Sequence, residues 1–208
     1  MSASTHVPAN DPDASAGVTE FQLGKNGLTQ AGNEVRWIAA SADLEFPPVP
    51  FPSRKVFAVA GEARLRMLVT RHCERLLDSS LGHLFPRDPQ RFALGVERTA
   101  DFVVEATGGP ACYSPSSGRS CMRTLHFPFV IDERAREIWL AQFLLAFDDV
   151  GFPEEIRPEF WNWIEAMSIR MINRRTLRAQ PARYPLADAP IKLSPFMKTR
   201  RPPIMCPR

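Results

Sequence analysis

The chain has 208 residues, 44% hydrophobic and 24% charged, a balance that suits one soluble domain with tails or at most two small domains. No apolar run approaches the ~20 residues that span a bilayer, and Met1 to Ala16 lacks the basic-then-apolar order of a signal peptide, so a cytoplasmic protein is expected. The net charge of +3 hides an asymmetry: residues 174–208 hold nine Arg or Lys and one acidic residue, whereas the remainder is acidic, with 17 basic and 22 acidic residues. Such a tail can touch nucleic acid, anionic lipid or an acidic protein face, or simply serve as a solvated extension. Cys73, Cys112, Cys121 and Cys206 show no CxxC spacing and read as reduced thiols rather than a disulfide framework or zinc site. Cys121 and His126 as joint metal ligands are the remaining metal alternative.

Met1 to about Gly17 has little that could offset ordering entropy. Val18 to Leu44 mixes Phe21, Trp37 and Ile38 with several glycines and is expected to form one short packed element. Phe46 to Ser53 holds four prolines, a stiff extended linker. Leu65, Leu68, Val69, His72, Cys73 and Leu76 fall at three-and-four spacing, predicting a helix over 62–77 with His72 on its apolar face. Asp88-Pro89 supplies a cap and first helical position, and a helix follows to about Thr107 with Phe92, Val96, Thr99, Phe102, Val103 and Ala106 inward. Gly108-Gly109 stops it, and 111–119 reads as a loop. Asp132 caps a helix from Glu133 to about Phe147 with Ala135, Ile138, Trp139, Gln142, Phe143 and Ala146 inside. A last helix runs from about Pro158 to Arg174, with Trp161, Ile164, Met167, Ser168 and Met171 on one face, before a proline- and arginine-rich tail expected to wrap the surface or float. No repeat and no useful strand alternation appears.

Between these helices stands Cys121-Met122-Arg123-Thr124-Leu125-His126-Phe127-Pro128-Phe129, with Trp139 thirteen residues past the histidine. A neutral imidazole in apolar surroundings suits a haem iron as axial ligand, although a lone histidine is more often structural. Together with Gly108-Gly109-Pro110, Tyr113, Gly118 and Leu84-Phe85-Pro86, this segment resembles the truncated haemoglobin family, most like group II, over about residues 64–173. The resemblance implies an all-α, truncated-globin-like helical sandwich around haem b. Its expected domains are 1–58 as an extension, 59–174 as the haem domain and 175–208 as a basic tail.

By the same resemblance His126 is the iron ligand, and Arg123, Phe85, Phe129, Trp139 and Phe102 contact the cofactor. His72, Thr99 and Trp139 line the distal, ligand-binding side. In the family a tyrosine stands thirteen residues before the turn aromatic, where this chain has His72. A shift of one residue would put Cys73 there instead. The implied function is binding a diatomic gas such as oxygen or nitric oxide. Redox or nitric oxide detoxifying work, of nitric oxide dioxygenase or peroxidase type, would require a separate reductase, since no flavin or nicotinamide motif is visible. The rival reading is a haem-free globin-like sensor or interaction module acting through its basic tail on an anionic partner. A helical nucleic-acid binder is a third. Removal of residues 1–53 is expected to leave a folded haem domain, and the last 30 or so residues are expected to be dispensable for haem.

Overall fold

Residues 38–39, 43–117 and 122–198 are described in a computed structural model; the readings placed on 1–37, Gly118, Cys121 and Cys206 lie outside the described residues. Helix α1 spans Arg54–Asp78 and is interrupted at Gly61, whose φ of 73° leaves the helical region. Glu62 therefore begins a fresh apolar stripe, and Leu65, Leu68, Val69, His72, Cys73 and Leu76 are all buried, as their spacing predicts. Helix α2 (Pro89–Ala106) starts under the Asp88 cap, whose carboxylate accepts the Gln90 N–H at 3.0 Å. It ends against the start of α1. A Cβ on Gly109 would lie 2.5 Å from the Phe57 ring, and Gly108 has φ 96° with Arg54 equally close. The glycine pair therefore stops a helix and also lets the end of α2 touch the start of α1.

Two short helices, α3 (Ser114–Ser117) and α4 (Met122–Leu125), precede the loop 126–131. Helix α5 (Glu133–Asp149) is capped by Asp132, which accepts the Ala135 N–H at 2.7 Å. Helix α6 (Arg157–Met171) follows a tight turn at Gly151 and a 3-10 turn at Glu154–Ile156. Helices α1, α2, α5 and α6 enclose one main apolar cluster. A second, smaller cluster joins Leu76, Leu81, Ala135 and Ile138 to the half-buried Phe85, Ile131 and Trp139.

Two findings depart from the periodicity. Helix α6 buries Phe160 and Trp163 as completely as Trp161 and Ile164, so it is covered on more than one face. Thr99, expected inward on α2, is exposed, and Ala100 and Val104 take buried places instead.

The cover over α6 comes from the flanks. Strands β1 (Ile38–Ala39) and β2 (Arg174–Arg175) pair antiparallel, with Ile38 opposite Arg175. The fully buried Arg175 guanidinium reaches the Asp43 carboxylate and the Arg178 and Ala179 carbonyls. Leu44 packs on Ile169, and Pro47 O accepts from Arg170 at 3.1 Å. On the C-terminal side, Tyr184, Ala189 and Leu193 join the main cluster, and Tyr184 O accepts the Trp161 indole N–H at 2.6 Å. A helix apolar all round must be covered all round, and the proline-rich segment and the tail supply the missing layers.

A chain that begins at residue 38 is therefore expected to unfold like the full chain. One that begins at Ser53 should stay folded but lose at least about 2 kcal/mol, the scale of one buried leucine side chain, with Arg175 also deprived of the Asp43 carboxylate. Urea titration of the two shortened proteins measures the difference, and equal midpoints would show that residues 38–52 contribute nothing.

Candidate haem site

His126 lies in the turn after α4 and is half-buried. Its backbone N–H donates to the Arg123 carbonyl at 3.1 Å, and its own carbonyl accepts from Phe129 N–H at 3.1 Å and from the Asn173 side-chain amide at 2.9 Å. Around it the apolar side chains are bare: Leu125 is 49%, Phe127 53%, Phe129 40% and Val130 49% exposed. A contiguous apolar patch beside one imidazole is the kind of surface that a flat apolar group covers. A single imidazole also suits an iron whose equatorial ligands arrive with its own macrocycle; among the described residues no cluster of three or more His, Cys, Asp or Glu side chains could hold a bare ion. Arg123 is half-buried with its guanidinium 4.9 Å from the centre of the Phe46 ring, and its Nε finds no hydrogen-bond partner among the described residues. An unsatisfied cationic donor of this kind can take an acidic group. On these grounds the residues fit haem.

His72 lies elsewhere, on the buried face of α1. Its ring meets Phe143 at 3.9 Å and Trp139 edge-on at 4.9 Å between centroids, and Nε2 sits 3.1 Å from the Trp139 carbonyl. A carbonyl can only accept, so Nε2 carries the hydrogen and Nδ1 is the lone-pair nitrogen. Burial pushes the imidazole pKa down to about 3, against the smaller upward pull of the Trp139 carbonyl; the Arg75 charge nearby also lowers it. The ring is thus neutral at physiological pH. Cys73 beside it is buried, and burial pushes its thiol up to about 12, so it stays protonated.

This shift carries a stability prediction. The unfolded histidine titrates near pH 6.5, whereas the folded one resists protonation down to about pH 3. The unfolded state therefore binds the extra proton in this window, and stability falls with pH by up to ~1.4 kcal/mol per unit. The group's full contribution is present above pH 6.5. Denaturant titrations at pH 7, 5 and 4 should show a steeper decline for the parent than for His72→Phe. Parallel declines would mean that His72 protonates in the folded state.

The other expected site residues divide between the clusters. Phe85 packs edge-on against Phe92 at 6.0 Å and shares the smaller cluster with Trp139 and Ile131. Phe102 stands in the main cluster, 5.3 Å from the Tyr113 ring and 5.8 Å from Trp163. Thr99 Oγ1 donates back to the Gly95 carbonyl at 2.9 Å. The fold brings His72 and Trp139 into direct contact, and Phe85 and Trp139 into one cluster. Thr99 is exposed on α2. Asn173, which ties the His126 loop to the end of α6, was not legible: nothing local relates it to a histidine 47 positions earlier.

A helical core with a histidine on a bare apolar loop and a second, buried histidine held against a tryptophan defines a globin-class protein. The chain belongs to the bacterial-like globin family, whose profile matches residues 56–173. It is similar to the group 2 truncated hemoglobin YjbI of Bacillus subtilis (strain 168), 29% identical over 118 residues, covering 57% of this chain and 88% of that protein. Among solved structures, phosphate-bound Hell's gate globin IV is 47% identical, with a TM-score of 0.68 and coverage of 74% of this chain and 94% of that one. The truncated oxygen-avid haemoglobin from Bacillus subtilis is 28% identical, with a TM-score of 0.53 and coverage of 57% and 98%. The fold is that of a truncated globin, most like group II, and haem-based binding of a small gas goes with the family. No helix among the described residues is long and apolar enough to cross a membrane.

Proposed function

We propose that the chain is a cytoplasmic haem b protein that binds oxygen or nitric oxide, with His126 as the protein ligand of the iron. The observation that carries this reading is the histidine set in a run of uncovered apolar side chains, Leu125 to Val130, within the family's matched span. Haem supplies an iron that binds a diatomic gas and, with electrons from a separate reductase, can turn it over in oxidative detoxification. Phe129 and Phe85 contribute apolar walls, and Arg123 offers its guanidinium to a haem carboxylate. Phe102 and Thr99 complete the proposed lining. Domains of 1–58, 59–174 and 175–208 remain our division, with the flanks lending layers to the middle one. The exposed basic residues of the tail are available to an anionic partner.

On the gas-binding side, each of three side chains has one donor to offer. The His72 donor is engaged by Trp139 O, and the Thr99 donor by Gly95 O. The Trp139 indole N–H is the one left among them, so we assign it the hydrogen bond to bound gas. His72 then acts by holding the Trp139 backbone. Absorption spectra of the ferric and ferrous forms test the proposal: a Soret band at near-equimolar haem is expected. The unliganded ferrous form should be five-coordinate, because the His72 ring is packed between Phe143 and Trp139 rather than presented to an iron. A colourless protein that refuses added haemin would sink the reading. In stopped flow, Trp139→Phe should release oxygen several-fold faster, the worth of one hydrogen bond of about 1 kcal/mol, and His72→Leu should change the rate less. The reverse order would transfer the donor role to His72.

A further inference from the structure

We propose that Asn173 is the positioning residue of the His126 loop, setting the orientation in which the imidazole meets the iron. The inference rests on the reading of His126 as ligand.

The loop from His126 to Ile131 has no helix or strand of its own, and the side chains of Phe127, Phe129 and Val130 are too exposed to fix it by packing. Its backbone is held from the opposite side. Helix α6 ends at Met171, Ile172 turns extended (φ −61°, ψ 118°), and Asn173 is delivered, 6% exposed, against the loop. There its Nδ2 donates to the His126 carbonyl at 2.9 Å and to the Phe129 carbonyl at 2.7 Å, while Oδ1 accepts the Ile131 N–H at 3.0 Å. The backbone joins in: Asn173 N–H and Arg174 N–H both donate to the Ile131 carbonyl, at 3.0 and 3.1 Å. Two carbonyls and one N–H admit only one amide orientation, so oxygen and nitrogen are assigned by the partners themselves.

The consequence for the imidazole is direct. The His126 carbonyl has both lone pairs taken, by Asn173 Nδ2 and by Phe129 N–H. The peptide that carries the ligand is thus pinned at 126, 129 and 131, and the side chain inherits its direction from a fixed backbone. Groups one step removed from a metal ligand fix its orientation, and their loss typically costs about 10- to 100-fold in affinity. An aspartate of the same size would keep the acceptor for the Ile131 N–H but turn an acceptor oxygen, in place of Nδ2, toward the His126 and Phe129 carbonyls. Alanine would leave the Ile131 N–H and the Phe129 carbonyl without the partners named here.

The test uses the full-length protein, ferrous for resonance Raman and ferric for haemin transfer. Asn173→Asp and Asn173→Ala are expected to shift and broaden the iron–histidine stretching band in resonance Raman. They should also speed haemin transfer to excess apomyoglobin by about tenfold or more, with helix content by circular dichroism unchanged. Asn173→Ser, which keeps one donor, should fall between these variants and the parent, and it carries the test if alanine prevents folding. In the parent, the Ile131 amide should exchange slowly with solvent although its loop is bare. A parent-like band with transfer rates unchanged in the folded variants, or fast exchange at Ile131 in the parent, overturns the proposal. His126→Gly separates this from failure of the underlying reading. If that variant keeps the iron–histidine band, His126 is not the ligand. If it loses the band while Asn173→Asp leaves the band in place, only the positioning role is wrong.

Discussion

Purified His126→Gly protein is expected to lack stable haem and to recover a haem spectrum when imidazole is added. The chemical ground is that, in the proposed site, one nitrogen base joins the iron to the chain, and the rest of the cradle is apolar contact and the Arg123 guanidinium. Loss of groups that merely orient a ligand already costs about 10- to 100-fold, so loss of the ligand itself should exceed roughly a hundredfold in haem affinity. The helices do not depend on this side chain: His126 is half-buried in the turn after α4, outside the four long helices. Far-ultraviolet circular dichroism should therefore match the parent, while haem content falls and free imidazole restores the Soret band. Undiminished haem content in His126→Gly would remove the proposed function at its centre. Loss of helix together with haem would make the residue structural instead.

The largest effect on stability is expected at Glu165. Its carboxylate is buried in α6 and meets the buried Arg136 of α5 at 2.6 Å, Arg183 of the C-terminal segment at 2.7 Å, and the Tyr184 N–H at 3.2 Å. Arg136 in turn donates to Ser168 Oγ and to the Ala182 carbonyl. One ionic cluster thus fastens α5, α6 and the tail together. Glu165→Ala should cost about 3–5 kcal/mol, because it leaves a buried guanidinium uncompensated rather than because the pair is strongly favourable in itself. At this chain length each kcal/mol lowers Tm by about 2–4 °C, so the melting point should fall by roughly 6–20 °C. The paired change Arg136→Met with Glu165→Leu removes both charges and should recover most of the loss. A single variant within about 1 kcal/mol of the parent would mean that water reaches Arg136 once the carboxylate is gone. The same cluster bears on the tail: protein cut after Thr176 should lose stability, because Arg183, Tyr184 and Leu193 leave with it.

Much of the scaffold was legible locally. Asp88 and Asp132 announce their helices because a side-chain cap works within three residues. The α1 stripe is readable because a helix repeats its buried face every three or four positions. The His126 segment and its spacing to Trp139 were readable as a motif, and the family match over 56–173 agrees with that resemblance. Local spacing is off by one position in α2: a single residue, roughly 100° of helix rotation, separates the inward Thr99 that the pattern predicts from the Ala100 that is buried. The apolar stripe of Phe92, Val96, Phe102, Val103 and Ala106 packs on the core as its spacing predicts, and only the polar Thr99 falls outside it.

By itself the sequence determined the long helices, the Asp88 and Asp132 caps and which histidine stands in an apolar run, since each depends on residues a few positions apart; it missed the helical stretch from Arg54 ahead of the Gly61 break and the short helix Ser114–Ser117 inside the expected loop. Only the tertiary structure decided that Arg175 would be buried beside Asp43, 132 residues away, and that Trp161 would donate to the Tyr184 carbonyl. It alone engaged the His72 donor with the Trp139 carbonyl and placed Asn173 under the His126 loop. These are pairings between polar groups brought out of water together. A buried donor must find an acceptor, but which acceptor it finds depends on how the helices close, and no local pattern in the chain encodes that.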